Sequence, residues 1–232
     1  AQNISDAASA FRTAFQNGDG DGAFYLGRLV ELGIGLDPDK ARAAQIYTAG
    51  AESGSAAAMN RLGLMHMAGD GVLQDFARGS ELVCQAAELG DVNAQFNCAN
   101  LYLQGKGVER DDARAVEWFG EAADKGHVAA TNFLGLAYVN GQGVEEDKAK
   151  ARELFQLTAD QGNAMGLYQL GLFYLENEPN TDDLINAHAY LNLAATRGFP
   201  QAAEMRAAIE RGLNADDLSL AQERAREWGA SQ

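Results

Sequence analysis

The stretch Asn17-Gly18-Asp19-Gly20-Asp21-Gly22 reads like the first half of a calcium loop, with oxygen donors at alternate positions. A complete loop needs a bidentate Glu at its twelfth position, and counted from Asn17 that position holds Arg28. The stretch also falls in a turn, where Gly and Asp are expected in any case. The three histidines, His66, His127 and His188, lie far apart in sequence with no HExxH or CxxC beside them. Serine is sparse and forms no Gly-x-Ser-x-Gly elbow. The acidic pairs Asp111-Asp112, Glu145-Glu146 and Asp182-Asp183 sit where helices should begin, and the helix dipole favours negative charge there. No catalytic residue, metal ligand or cofactor is expected. Two cysteines remain: Cys84 and Cys98 each lie seven residues from Asp91, on helices expected to run antiparallel, so they could face each other.

The elements that carry these residues repeat. Gly27, Gly63, Ala99, Gly135, Gly171 and Ala207 are spaced 36 residues apart, and so are Gly18, Gly54, Gly90, Gly126, Gly162 and Gly198. Two markers holding one period without slippage indicate a repeat array. Within one unit, Asn93–Gln104 reads as a helix that Gly105 ends, with Gly107 easing the turn. Asp111 is placed to cap a second helix running through Ala115, Trp118 and Phe119 to Gly126. Equivalent caps are expected at Asp39, Asp75, Asp147 and Asp183. Five full units follow one another: Ala23–Gly54, Met59–Gly90, Gln95–Gly126, Thr131–Gly162 and Leu167–Gly198. The fifth replaces the two turn glycines by Asn177 and Pro179. Ile4–Asn17 reads as a capping helix with Phe11 and Phe15 on its apolar face, and Pro200–Glu210 opens a partial sixth unit.

Leu134–Ala151, LGLAYVNGQGVEEDKAKA, resembles the Sel1-like repeat, a relative of the tetratricopeptide repeat, and the likeness extends over nearly the whole chain. Ala221, Gln222, Ala225, Glu227 and Trp228 are similar to the helix that closes many bacterial members, with Asn214 as its N-cap. The resemblance implies an all-α solenoid: a right-handed superhelix with first helices on the concave side and second helices outside. The expected organisation is an N-terminal cap over residues 1–18, repeats over 19–199, and a partial repeat with a closing helix over 200–232, in one domain. It also implies a non-catalytic scaffold that binds a protein or peptide in the concave groove, in bacterial envelope signalling or assembly. The alternatives it leaves are a hydrolase of cell-wall or β-lactam substrates and a peptidoglycan-binding module. Cysteine-rich relatives staple the helix pair that carries Cys84 and Cys98. Against a bridge, Cys98 shares a column with Leu26, Leu62, Leu134 and Leu170 whereas Cys84 shares one with Thr48, Gly120, Gln156 and Asn192. Packed helix axes also lie about 8–10 Å apart. A disulfide and two separate thiols both remain open.

The 33 acidic against 18 basic residues give a net charge of −15 and offer nothing to a phosphate backbone, so no nucleic acid partner is expected. No apolar run approaches the length of a transmembrane helix. The Ala-Gln start without Met points to a removed signal peptide and a periplasmic or secreted monomer, with a cytoplasmic protein as the alternative. One helical stripe varies where structural columns do not. It runs Phe24, Asn60, Phe96, Asn132, Tyr168, and beside it Arg28, Leu64, Asn100, Leu136, Leu172. The two columns are four residues apart and share a helix face. The amides argue for exposure, because a buried amide must satisfy every donor and acceptor. The stripe is therefore the expected partner-binding surface.

Overall fold

A computed structural model describes residues 2–176 and 178–230, which form thirteen helices and no strand. Asn177 lies outside the described residues. The helices group into two compact units, residues 1–127 and 128–232. The sequence register suggested a single domain; the division falls at a boundary between two repeats. Unit 1 holds α1 (Gln2–Gln16), α2 (Gly20–Leu32), α3 (Lys40–Glu52), α4 (Ala56–Ala68), α5 (Phe76–Glu88), α6 (Val92–Gln104) and α7 (Asp112–Asp124). Unit 2 holds α8 (Val128–Asn140), α9 (Lys148–Ala159), α10 (Ala164–Phe173), α11 (Thr181–Thr196), α12 (Pro200–Glu210) and α13 (Ala215–Ala230).

Each repeat is a helix pair whose ends are written in sequence. Gly105 ends α6 in the left-handed conformation, φ 64°, and its N–H donates to the Leu101 carbonyl. Gly107 serves a second purpose: a Cβ there would lie 2.1 Å from the Phe76 carbonyl oxygen of the preceding repeat. Asp39, Asp75, Asp111 and Asp147 each accept a backbone N–H three residues on, as caps of α3, α5, α7 and α9. Such caps contribute about 1 kcal/mol each. The fifth pair departs from this. Its second helix starts earlier, so the cap is Asn180 and not Asp183, and Asp183 returns a bond to the Asn180 N–H as the other half of a capping box. In the altered turn Glu178 takes a left-handed φ of 59°.

Packing within a pair is set by the 36-residue marker. A Cβ on Gly27 would lie 2.5 Å from the Tyr47 ring, and on Gly135 it would lie 2.8 Å from the Phe155 ring. On Gly171 it would lie 2.9 Å from Leu191. Tyr47, Val83, Phe119, Phe155 and Leu191 form their own 36-residue column, each buried against the marker's helix. In unit 1 the apolar interior divides into one cluster around Tyr47 and Leu62 and another around Val83 and Cys98. In unit 2 one cluster runs from Ala151 to Ala225. A stack that buries its apolar surface pair by pair needs no single central core.

The terminal helices cover the ends of their units. α1 packs on α2, where Phe11 stacks on Tyr25 at 5.0 Å and Gly22 leaves no room for a Cβ against the Phe11 carbonyl. α13 packs on α11, with Asn214 accepting the N–H groups of Asp216 and Asp217 and the Trp228 ring 4.4 Å from Tyr190. Replacing Gly135 by Leu should destabilise the protein by about 2–3 kcal/mol or more, because the added carbons have only the Phe155 ring to displace. The opposite exchange at Ala99, to Gly, should cost about 1 kcal/mol. Urea unfolding of both variants checks the contrast.

Candidate functional site

The predicted stripe meets in one place in unit 1. Phe24 and Arg28 from α2, Asn60 and Leu64 from α4, and Asn93 and Asn97 from α6 line an open cavity of about 410 Å³ on the first-helix face. Tyr25, Arg61 and Asp91 complete its wall, and Tyr25 is 51% exposed. Asn93, Asn97 and Arg61 were absent from the sequence expectation, although Asn93, Asn97 and Asn100 fall at helical spacing on one face of α6. Phe96 and Asn100 are also on α6 but outside this lining, and the Asn100 amide donates to the Phe96 carbonyl of its own helix. In unit 2, Asn132 and Leu136 lie on α8 and Tyr168 and Leu172 on α10. Leu136 and Tyr168 pack partly into the interior there.

The amides correct the expectation of exposure. Asn60 is 8% and Asn132 2% exposed, and both are satisfied from within the protein. The Asn132 amide donates to Asn163 Oδ1 at 2.9 Å, and its oxygen accepts from the Thr158 hydroxyl at 2.8 Å. Asn163 uses the same oxygen to cap α10, accepting from Met165 and Gly166. Asn60 donates to Asp91 Oδ1, the cap of α6, and accepts from Asn97. At two later positions the stripe carries a ring and so does the residue opposite: Phe96 stacks on His127 at 4.6 Å and Tyr168 on Phe199 at 4.5 Å, whereas the position opposite Phe24 holds Ser55. Asp91, His127, Asn163 and Phe199 are 36 residues apart, each just before the next repeat. From Asn60 onward the alternation of amide and aromatic along the stripe therefore matches the residue at the repeat boundary. At the first boundary Ser55 instead donates to Asp21.

Beneath the cavity lies a buried ion pair. Glu31, 8% exposed, accepts from the Tyr47 hydroxyl at 2.8 Å and from two nitrogens of Arg61. Burial pushes the Glu31 carboxyl up, but the hydrogen bonds from Arg61 and Tyr47 and the charges of Arg61 and Arg28 outweigh it, holding the carboxyl below its ordinary value of 4.5. Burial and the Glu31 charge push the Tyr47 hydroxyl up, so it stays a donor. The group fixes the Arg61 guanidinium at the cavity wall.

The remaining candidates have local roles. Asp19 caps α2, and Asp21, two residues on in the calcium-like stretch, is bonded to Ser55. His66 is half-buried with Nδ1 3.3 Å from the Leu73 carbonyl, and His188 is buried with Nε2 3.1 Å from Glu210. Among the described residues no group of three or more His, Cys, Asp or Glu could hold a metal ion. Cys84 and Cys98 are joined as a disulfide between α5 and α6, with Cα atoms 5.1 Å apart. The axis spacing that argued against a bridge omits the helix radius. Subtracting about 2.3 Å for each helix brings facing Cα atoms to roughly 3.4–5.4 Å.

Two stability measurements test these assignments. Asn132→Ala should cost about 1–3 kcal/mol, because it removes the buried bonds to Asn163 and from Thr158 and leaves a gap where the amide stood, whereas Asn100→Ala should stay within about 0.5 kcal/mol. Glu31→Gln should cost about 3 kcal/mol at neutral pH. Because the folded carboxyl titrates below its unfolded value, the stability it contributes is present above 4.5 and is lost as the pH falls below that. The gap between the parent protein and Glu31→Gln should therefore close on acidification, as read from urea midpoints.

Residues 9–55, 56–91, 92–127, 128–163 and 164–199 each match the Sel1 repeat. A Sel1 repeat protein from Oxalobacter formigenes is similar in structure, with a TM-score of 0.77 at 22% identity over 97% of this chain and 96% of that one. So is a protective antigen of uropathogenic Escherichia coli, with a TM-score of 0.69 at 24% identity over 97% of this chain and 55% of that one. An immunity protein of Pseudomonas aeruginosa reaches a TM-score of 0.50 at 18% identity over 91% of this chain and 80% of that one. This chain thus spans about half the length of the E. coli antigen, and at these identities the likenesses speak for the fold alone. No curated protein matches. With five consecutive repeats matched on helix pairs of one period, the chain belongs to the Sel1 repeat family.

Proposed function

We propose that the protein is a non-catalytic interaction module that holds an extended segment of a partner protein against the first-helix face of unit 1. The observation that carries this reading is the cavity where Tyr25, Arg28, Asn93 and Asn97 converge. Asn93 and Asn97 offer both donors and acceptors to a peptide backbone. Phe24, Tyr25 and Leu64 offer apolar area, and Arg28 and Arg61 favour a partner segment with a carboxylate. Sel1 repeats generally serve protein interaction, which agrees with this chemistry. The Cys84–Cys98 bond favours an oxidising compartment, so we place the protein in the bacterial periplasm or outside the cell. No helix among the described residues is long and apolar enough to cross a membrane.

The test must spare Asn60 and Asn132, whose loss would disturb the fold. Arg28→Ala combined with Asn93→Ala, the latter at an exposed position, changes the cavity wall and leaves the Asn97 bond to Asn60 in place. Immobilised parent protein should capture a defined protein from an envelope extract, and the folded double variant should lose it by about tenfold or more. Equal capture by both proteins would move the binding surface elsewhere.

A further inference from the structure

A second cavity of unit 1, about 500 Å³, lies between α1, α2 and α3, away from the stripe. Its size is that of a small-molecule site. Leu26, Leu29, Val30, Ile34, Leu36 and Ile46 make its surface apolar. Three features set this repeat apart from its successors. Leu26 is only half-buried, whereas its counterparts Leu62, Leu134 and Leu170 are buried. Ile34, 37% exposed, stands where the next three repeats carry Asp70, Lys106 and Gln142. Gln45 stands where they carry Glu81, Glu117 and Glu153.

The last exchange changes the electrostatics. Arg78 and Lys150 are paired with Glu81 and Glu153 three residues on, and Arg114 with Asp111. Arg42 occupies the same column with Gln45 at the third position, and no ion pair among the described residues involves it. Arg12 from α1 is likewise unpaired and lines the same cavity. In a chain with 33 acids to 18 bases, the cavity has two arginines and no carboxylate in its wall. We infer that this cavity binds a single-chain alkyl carboxylate, with the alkyl chain inside and the carboxylate on Arg12 and Arg42. Guanidinium groups match a carboxylate in geometry as well as charge, and the apolar wall gains by covering the chain.

Dodecanoate is the probe, titrated calorimetrically into protein stripped of bound hydrophobic material and kept below its critical micelle concentration. Saturable one-to-one binding is expected, with dodecanol and dodecyltrimethylammonium weaker by about tenfold or more. Gln45→Glu restores the acid that the other repeats have and should weaken dodecanoate to a similar degree while leaving the melting temperature of the unliganded protein unchanged. Ser5→Trp, at an exposed position on the cavity wall, should block binding without disturbing the core. The proposal is overturned if dodecanoate fails to saturate, if the cationic amphiphile binds as well, if both folded variants bind like the parent, or if only anionic phospholipid vesicles are bound.

Discussion

Everything in this protein depends on how closely two helix backbones can approach at one residue per repeat. At Gly63 a Cβ would sit 2.7 Å from the Gly79 carbonyl oxygen, and the marker is glycine at four positions and nothing larger than alanine, at Ala99 and Ala207, elsewhere. That approach brings a large side chain, Tyr47, Phe155 or Leu191, flat against a bare stretch of helix, where it is wholly covered. Caps and turns then hold each pair at that distance. The 36-residue period in the sequence is the trace of this steric requirement repeating.

A stack built this way has to solve a different problem at each boundary, because the end of one repeat is the floor of the next. Where the residue before a first helix is polar, as at Asp91 and Asn163, it does two jobs. Asn163 caps α10 and also receives the Asn132 amide. Asp91 does the same for α6 and Asn60. In unit 1 the cavity residues that these boundary bonds do not engage include Tyr25, Arg28 and Asn93, a smaller set than the whole variable stripe.

The repeat, its caps and its marker were legible in the sequence because each depends on residues a few positions apart, read five times over. Of the stripe, Phe24, Arg28, Asn60 and Leu64 line the unit 1 cavity, and the amides of Asn60 and Asn132 are buried where exposure was expected. Whether an Asn is exposed depends on a residue 31 positions away, Asp91 for Asn60 and Asn163 for Asn132, and no local pattern reports that pairing. The fifth second helix was capped three residues early for a similar reason: Asn180 outcompetes Asp183 once the turn no longer follows the glycine pattern. The cysteine pair was undecided because the column types of Cys84 and Cys98 differ, and only their 5.1 Å Cα separation resolves the conflict. The first repeat's departures at Ile34 and Gln45 were visible in the same columns, but without a cavity beside them they read as ordinary variation.

The matched boundaries have a consequence for how such a chain can change over time. Asn60 faces a carboxylate, Phe96 an imidazole, Asn132 an amide and Tyr168 a phenyl ring. Exchanging two neighbouring repeats would set an amide against a ring at more than one junction and leave polar groups stranded there. Although the units share one backbone, they are not interchangeable parts. A duplication or deletion is tolerated most readily when it removes or copies two repeats at once, so that amide still meets polar cap and ring still meets ring. The order of the repeats is thus constrained as a sequence of complementary joints.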